Sequence, residues 1–190
     1  MPTSKTSTRI MVLFLLFSTL ACSINIGGPD YPTYAPIPIS SEAVVEMEQN
    51  IATAVAAGAS SGVVTLVMTE IQMTSYLYQK LQEQPDPFIT NPQVYLRDGQ
   101  IQIYGTAESG YFYATVTIIL TAAPDENGQL TIELVDANFG PLPAPEGLKE
   151  AITAVVSEAY TGSLGPVATG FRIESITIED GLITLTGRIK

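Results

Sequence analysis

The stretch Val94-Tyr95-Leu96-Arg97-Asp98-Gly99-Gln100-Ile101-Gln102-Ile103-Tyr104-Gly105 decides the fold. Apolar residues alternate with polar or aromatic ones on both sides of Asp98-Gly99, which is the period of a half-buried strand. A two-residue Asp-Gly loop requires positive φ at both positions and favours a type I′ turn, whose twist matches that of the flanking strands. The spacing predicts a hairpin with Leu96 opposite Ile101 and Val94 opposite Ile103 on one face. The same pattern returns at Ile176-Thr177-Ile178-Glu179-Asp180-Gly181-Leu182-Ile183-Thr184-Leu185-Thr186-Gly187, with Ile178 opposite Ile183 and Ile176 opposite Leu185. Asp98, Gly99, Ile101, Ile103 and Gly105 match Asp180, Gly181, Ile183, Leu185 and Gly187 one for one. Convergence on a good turn explains the match; so does an internally related pair of edges on one sheet.

Outward from the first hairpin, more strands and helices follow. Tyr111 to Ala122 alternates, which predicts Phe112, Ala114, Val116, Ile118 and Leu120 inward. Asn127-Gly128 turns the chain into a strand with Leu130, Ile132 and Leu134 inward. Upstream, Gly62 to Met68 is rich in β-branched residues and reads as a short strand. Thr69 with Gln72 three residues later is a capping box, in which each side chain meets a free backbone N–H of the other. The helix it opens carries Met73, Leu77 and Leu81 on one stripe, flanked by Tyr78, and Pro85 and Pro87 stop it. An earlier helical pattern opens at Ser41, with Val44, Met47, Ile51 and Val55 on one face, and Gly58 and Gly62 are expected to end it. Gly140-Pro141-Leu142-Pro143-Ala144-Pro145 breaks the sheet and introduces a third helix. Leu148, Ile152, Val155 and Ala159 follow there at helical spacing up to Gly162.

The N-terminal end has a different grammar. Lys5 and Arg9 precede the apolar run Ile10 to Leu20, then Ala21 and the only cysteine, Cys22. This is an export signal over residues 1–21. The run is about half the ~20 apolar residues that a spanning helix needs. A cysteine after a small residue resembles the lipobox of bacterial lipoproteins, although Thr19 stands in the usual Leu place. That resemblance implies acylation of Cys22, cleavage just before it and a lipid-anchored extracytoplasmic protein. Ser23 would suit an outer membrane where the host has one. The alternative is an ordinary secretory signal cut after Ala21, which leaves a free thiol at the new N-terminus. Residues 22–40 contain Pro29, Pro32, Pro36 and Pro38 with Gly27 and Gly28, and they read as a partly extended tether. At ~3.1 Å per residue such a tether would hold the domain, residues 41–190, several nanometres from a bilayer.

Composition narrows the chemistry. The chain has 190 residues, 46% of them apolar and 14% charged, so it is globular and large enough to bury a core without a metal or disulfide. It carries 8 Lys and Arg against 19 Asp and Glu, and the export signal contains two of the basic residues and no acidic one. Such a surface repels phosphate backbones and anionic lipid, which argues against a nucleic-acid partner. There is no His, so the commonest general base and transition-metal ligand is missing. With Cys22 committed to the anchor, no thiolate nucleophile or zinc set remains. Gly58-Ala59-Ser60-Ser61-Gly62 lacks the Lys of a phosphate-binding loop. Asp125-Glu126-Asn127-Gly128 lacks the full spacing of a calcium loop and reads as a polar hairpin tip. No cofactor, metal site or catalytic set is expected, and an enzyme working by carboxylates alone is the least favoured class.

The order helix, strand, capped helix, four strands, Pro-introduced helix and hairpin resembles the TULIP-like lipid-binding domains of bacterial cell envelopes, of the mannan-elongation and YpmS types. The residues that carry the resemblance are Thr69-Glu70 after a strand, Asp98-Gly99 with Gly105, Pro141-Leu142-Pro143, and Asp180-Gly181 with Gly187. The resemblance implies an α+β fold in which a curved antiparallel sheet of six or seven strands packs on two or three helices. It also implies an apolar groove for a lipid or another apolar ligand. The residues that would line it are Met73, Leu77, Tyr78, Leu81, Phe112, Val116, Ile118, Leu148, Ile152 and Val155. The competing expectation is a cell-envelope scaffold with a solid core whose acidic face binds a protein partner. Tyr76 to Tyr78 and Tyr111 to Tyr113 fit either a groove lining or ordinary core and edge positions.

Overall fold

The computed structural model describes residues 23–85, 87, 89–142 and 171–189. Eight strands and two helices are formed: β1 (Ile24–Asn25), α1 (Ser41–Ser61), β2 (Val63–Thr69), α2 (Glu70–Gln82), β3 (Thr90–Arg97), β4 (Gln100–Ser109), β5 (Phe112–Pro124), β6 (Leu130–Asn138), β7 (Phe171–Glu179) and β8 (Leu182–Ile189). The class is α+β, and the strands curl into a half-barrel. They form a five-stranded sheet, in which β3, β4 and β5 are neighbours and β1 and β6 share the far edge of β5, and a three-stranded sheet in the order β2-β8-β7. The count exceeds the expected six or seven because β1 forms within the proline-rich stretch. It pairs with β5 in parallel, so the larger sheet is mixed rather than wholly antiparallel. The third helix expected over 145–160, with Leu148, Ile152 and Val155, lies outside the described residues, as do the export signal and Cys22.

The local signals act as their chemistry requires. Ser40 caps α1 by accepting from the Ala43 N–H. Thr69 and Gln72 form the reciprocal capping box at the start of α2. Gly58 does not end α1. The helix continues to Ser61, and Gly62 closes it with φ 75° while donating its N–H to the Gly58 carbonyl. Gly58 is there for close approach, since a Cβ would collide with the Val64 side chain. Both Asp-Gly turns have positive φ at each central residue, 54° and 75° at Asp98 and Gly99, 52° and 81° at Asp180 and Gly181. The facing pairs are Leu96 with Ile101, Val94 with Ile103, Ile178 with Ile183 and Ile176 with Leu185.

The two hairpins are equivalent far beyond the turn. Each has a bulge at the matching place, between Thr90 and Gln93 in β3 and between Ile173 and Ser175 in β7. Gly105 faces the Thr90 carbonyl, and Gly187 faces that of Arg172, at the corresponding positions. Each hairpin also gains a third antiparallel strand in the same register. Val116, Ile118 and Leu120 of β5 lie beside Gly105, Ile103 and Ile101, while Val64, Leu66 and Met68 of β2 lie beside Gly187, Leu185 and Ile183. The chain thus builds one three-stranded unit twice, with the third strand after the hairpin in one and before it in the other. The units meet tip to tip. Gly99 N–H donates to the Ile178 carbonyl and Gly181 N–H to the Leu96 carbonyl, both at 3.1 Å. These bonds exchange equivalent residues, as a local two-fold axis demands.

One core lies between the two units. Leu66, Met68, Leu96, Ile101, Val116, Ile118, Ile183 and Leu185 meet there with Met47, Ile51 and Leu81 from the helices. α2 also manages the exposed edge of β3. Thr74 Oγ1 accepts from the Val94 N–H at 2.9 Å, and Glu70 Oε1 from the Leu96 N–H at 2.8 Å. The helix thereby closes an edge that would otherwise invite pairing with another chain.

Candidate functional site

The expected groove residues divide into three groups. Leu81, Val116 and Ile118 are fully buried in the shared core. Met73 and Leu77 are half-buried and pack against that core, as does Tyr76, which the helical stripe had not included. Tyr78 is half-buried and lies outside the core cluster. Phe112 differs in its cover. It shares the face of Ala114 and Val116, as the alternation predicts, yet it stands 46% exposed beside the Gly110–Tyr111 turn instead of in the core. At the hairpin tip it pairs with Ser109 and with Ile24 of β1.

The inner face thins toward β6. Leu130, Ile132 and Ala137 are half-buried against the core, and Leu134, opposite the buried Leu120, remains 36% exposed. Leu130, Ile132 and Leu134 share one face of β6, since residues two apart share a side of a strand, and a bulge at Val135 brings Ala137, opposite Ile118, onto the same face. This row and the half-buried stripe of α2 are among the apolar inner positions that keep accessible surface, as are Ile103, Ala122 and Ile176.

On the opposite face of the larger sheet the sequence reading missed a whole layer. Residues 23–40, read as a tether, lie along the sheet as a strap. Ile24 N–H donates to the Tyr111 carbonyl at 2.8 Å, and Ile26 N–H to that of Tyr113 at 3.0 Å. Farther along, Gln93 grips the backbone of Ile37 at both ends, accepting from its N–H at 2.6 Å and donating to its carbonyl at 3.2 Å. Between these points Tyr31 stacks on Tyr104 at 5.9 Å between centroids, and Tyr34 on Tyr95 at 5.2 Å. Tyr95 and Tyr104 meet edge to face, and the Arg97 guanidinium lies over Tyr34. Burial raises the phenol pKa of Tyr95, with the Glu70 charge adding to it; burial also raises that of Tyr104. The signal was legible in principle: two aromatic residues on the nominally solvent-facing side of one hairpin, and two more in a proline-rich stretch.

Two carboxylates are tied into local structure. Glu70 and Arg97 form a forked pair where the two hairpin tips meet, and Glu70 also accepts from the Leu96 N–H. Both carboxylate oxygens of Glu70 are thus engaged in joining α2 to β3. Asp125 Oδ1 accepts from the Asn127 and Gln129 N–H groups, and these bonds hold its carboxyl below the ordinary range. That is how a carboxylate organises a hairpin tip. Among the described residues no three acidic, His or Cys side chains gather as metal ligands, and no helix is long and apolar enough to cross a membrane.

No protein-family model matches the sequence, and no curated protein matches it.

Proposed function

We propose that this protein is a membrane-anchored extracytoplasmic lipoprotein without catalytic activity, held by acylated Cys22. Its TULIP-like domain shelters a lipid or another apolar ligand on the inner face of the curled sheet. The observation that carries this reading is the row Leu130, Ile132, Leu134 and Ala137, apolar side chains on the concave side that the core leaves partly uncovered. Such a row rimming a packed core is what an acyl chain would lie against, since each methylene removed from water contributes ~0.8 kcal/mol. The absence of His from the chain and the engagement of Glu70 by its neighbours agree with binding rather than catalysis.

The test is extraction and native mass spectrometry of protein purified from membranes, beside a Leu134→Asp variant. Retained lipid that Leu134→Asp loses, with the fold intact by circular dichroism, supports the reading. A wild-type protein that carries no lipid and takes up no fluorescent fatty acid sinks it. Anchoring is tested apart from this. Cys22→Ser should abolish incorporation of labelled fatty acid and release the protein from membranes.

A second reading, an envelope scaffold with a solid core, is favoured by the complete burial of Leu81, Val116 and Ile118, which were expected to line the groove. Crosslinking in cells that gives one dominant protein partner and no lipid would select it.

A further inference from the structure

Three apolar side chains stand together at the end of the sheet where the chain emerges from its N-terminal segment. Tyr111 is 74% exposed, Ile24 50% and Phe112 46%. They are not scattered. Ile24 is the register partner of Phe112, and its N–H is bonded to the Tyr111 carbonyl. The turn that presents them contains Gly110 at φ 63°. No Lys or Arg occurs in residues 23–28 or 108–113, and Glu108 is the only charge in either stretch.

From these observations we infer that the β4–β5 tip, Tyr111 and Phe112 with Ile24, is a membrane-contact surface that rests in the interface of the bilayer to which the chain is anchored. The inference rests on the lipid-anchor reading for its geometry. Cys22 is two residues from Ile24, so its Cα lies within about 7 Å of the Ile24 Cα, because a chain spans at most ~3.6 Å per residue. An acyl chain on Cys22 therefore enters the membrane beside Tyr111 and Phe112. The strap keeps the domain next to its anchor. The intended spacer, residues 23–40, is folded onto the sheet through β1, the tyrosine stacks and the Gln93 grip, so it does not lift the domain away. A tyrosine with an apolar ring and a polar hydroxyl suits the headgroup level, where one end is apolar and the other wet. The lack of basic residues makes the contact hydrophobic, with zwitterionic phospholipid as its occupant.

The chain contains no tryptophan, so a single introduced one reports its own surroundings. Tyr111→Trp and, separately, Phe112→Trp are prepared as full chains from membranes, with Leu182→Trp on the other sheet as the remote control. Mass spectrometry of the N-terminal peptide first establishes whether Cys22 is acylated. Acylated protein is reconstituted directly into phosphatidylcholine vesicles. Protein without the lipid is coupled through the Cys22 thiol to a maleimide phospholipid in the same vesicles, so the tip is examined under either outcome for the anchor. The expected result is blue-shifted emission at positions 111 and 112, with at least twofold stronger quenching by shallow brominated lipid than at position 182. Emission at both tip positions as red and as unquenched as at position 182 overturns the inference. An unmodified Cys22 overturns the anchor reading alone.

Discussion

Thr74→Val and Thr117→Val are the same chemical change at two buried sites, and the structure gives them opposite signs. Thr74 is fully buried on α2, and its Oγ1 accepts the Val94 N–H at 2.9 Å. Valine leaves that backbone donor buried without a partner, at a cost of about 1–3 kcal/mol. The methyl that replaces the hydroxyl recovers less than ~1 kcal/mol. Net destabilisation is therefore about 1–2 kcal/mol. Thr117 lies on β5, opposite Tyr104, and its buried Oγ1 has no hydrogen-bond partner. Valine there strands nothing and removes a buried polar atom, for a gain of about 1 kcal/mol. The assay is urea unfolding followed by circular dichroism. With a denaturant slope near ~2 kcal/mol per molar, the two variants should differ in midpoint by about 1 M or more, with wild type between them. If Thr74→Val is as stable as wild type, the helix does not close the β3 edge as described. If Thr117→Val is the less stable variant, the Thr117 hydroxyl has a partner after all.

Two further outcomes follow from other parts of the molecule. Alanine at Gly187 puts a Cβ into the Arg172 carbonyl and the Phe171 ring, whereas at Gly105 the nearest atom, the Thr90 carbonyl oxygen, is 3.0 Å away. Gly187→Ala should cost about 3 kcal/mol and Gly105→Ala about 1 kcal/mol, and equal thermal shifts would contradict the packing of the second unit. At alkaline pH the raised phenols of Tyr95 and Tyr104 hold their protons more tightly in the folded state than in the unfolded one. Their contribution is fully present below the ordinary tyrosine value of ~10 and is lost as pH rises through the folded values. Absorbance at 295 nm should show the late tyrosinates appearing together with release of the strap. Ordinary titration of Tyr95 and Tyr104, with the strap still protected from proteolysis, would refute the stacked arrangement.

What residues 94–105 and 176–187 determined alone is considerable. Alternation puts one set of side chains on one face of a strand, and Asp-Gly admits the positive φ of a type I′ turn. Register, inward face and turn type follow from neighbours a few residues apart. The Thr69–Gln72 box is local in the same way. The third helix and the Cys22 anchor were read from the same kind of pattern and remain expectations.

Tertiary structure decided everything that depends on what covers a surface. Phe112 obeys the alternation of its strand, but alternation assigns a face and not a cover, and at the hairpin tip it stays 46% exposed. Pro29 to Pro38 exclude regular structure without saying where the chain runs. The tyrosine pairs, the reciprocal Gln93–Ile37 bonds and the pairing of β1 with β5, all between residues more than fifty positions apart in sequence, lay it against the sheet. The likeness of the two hairpins was visible in the letters. That they meet through bonds between equivalent residues was not, because a backbone N–H carries no mark of its partner until the folded chain brings one to it.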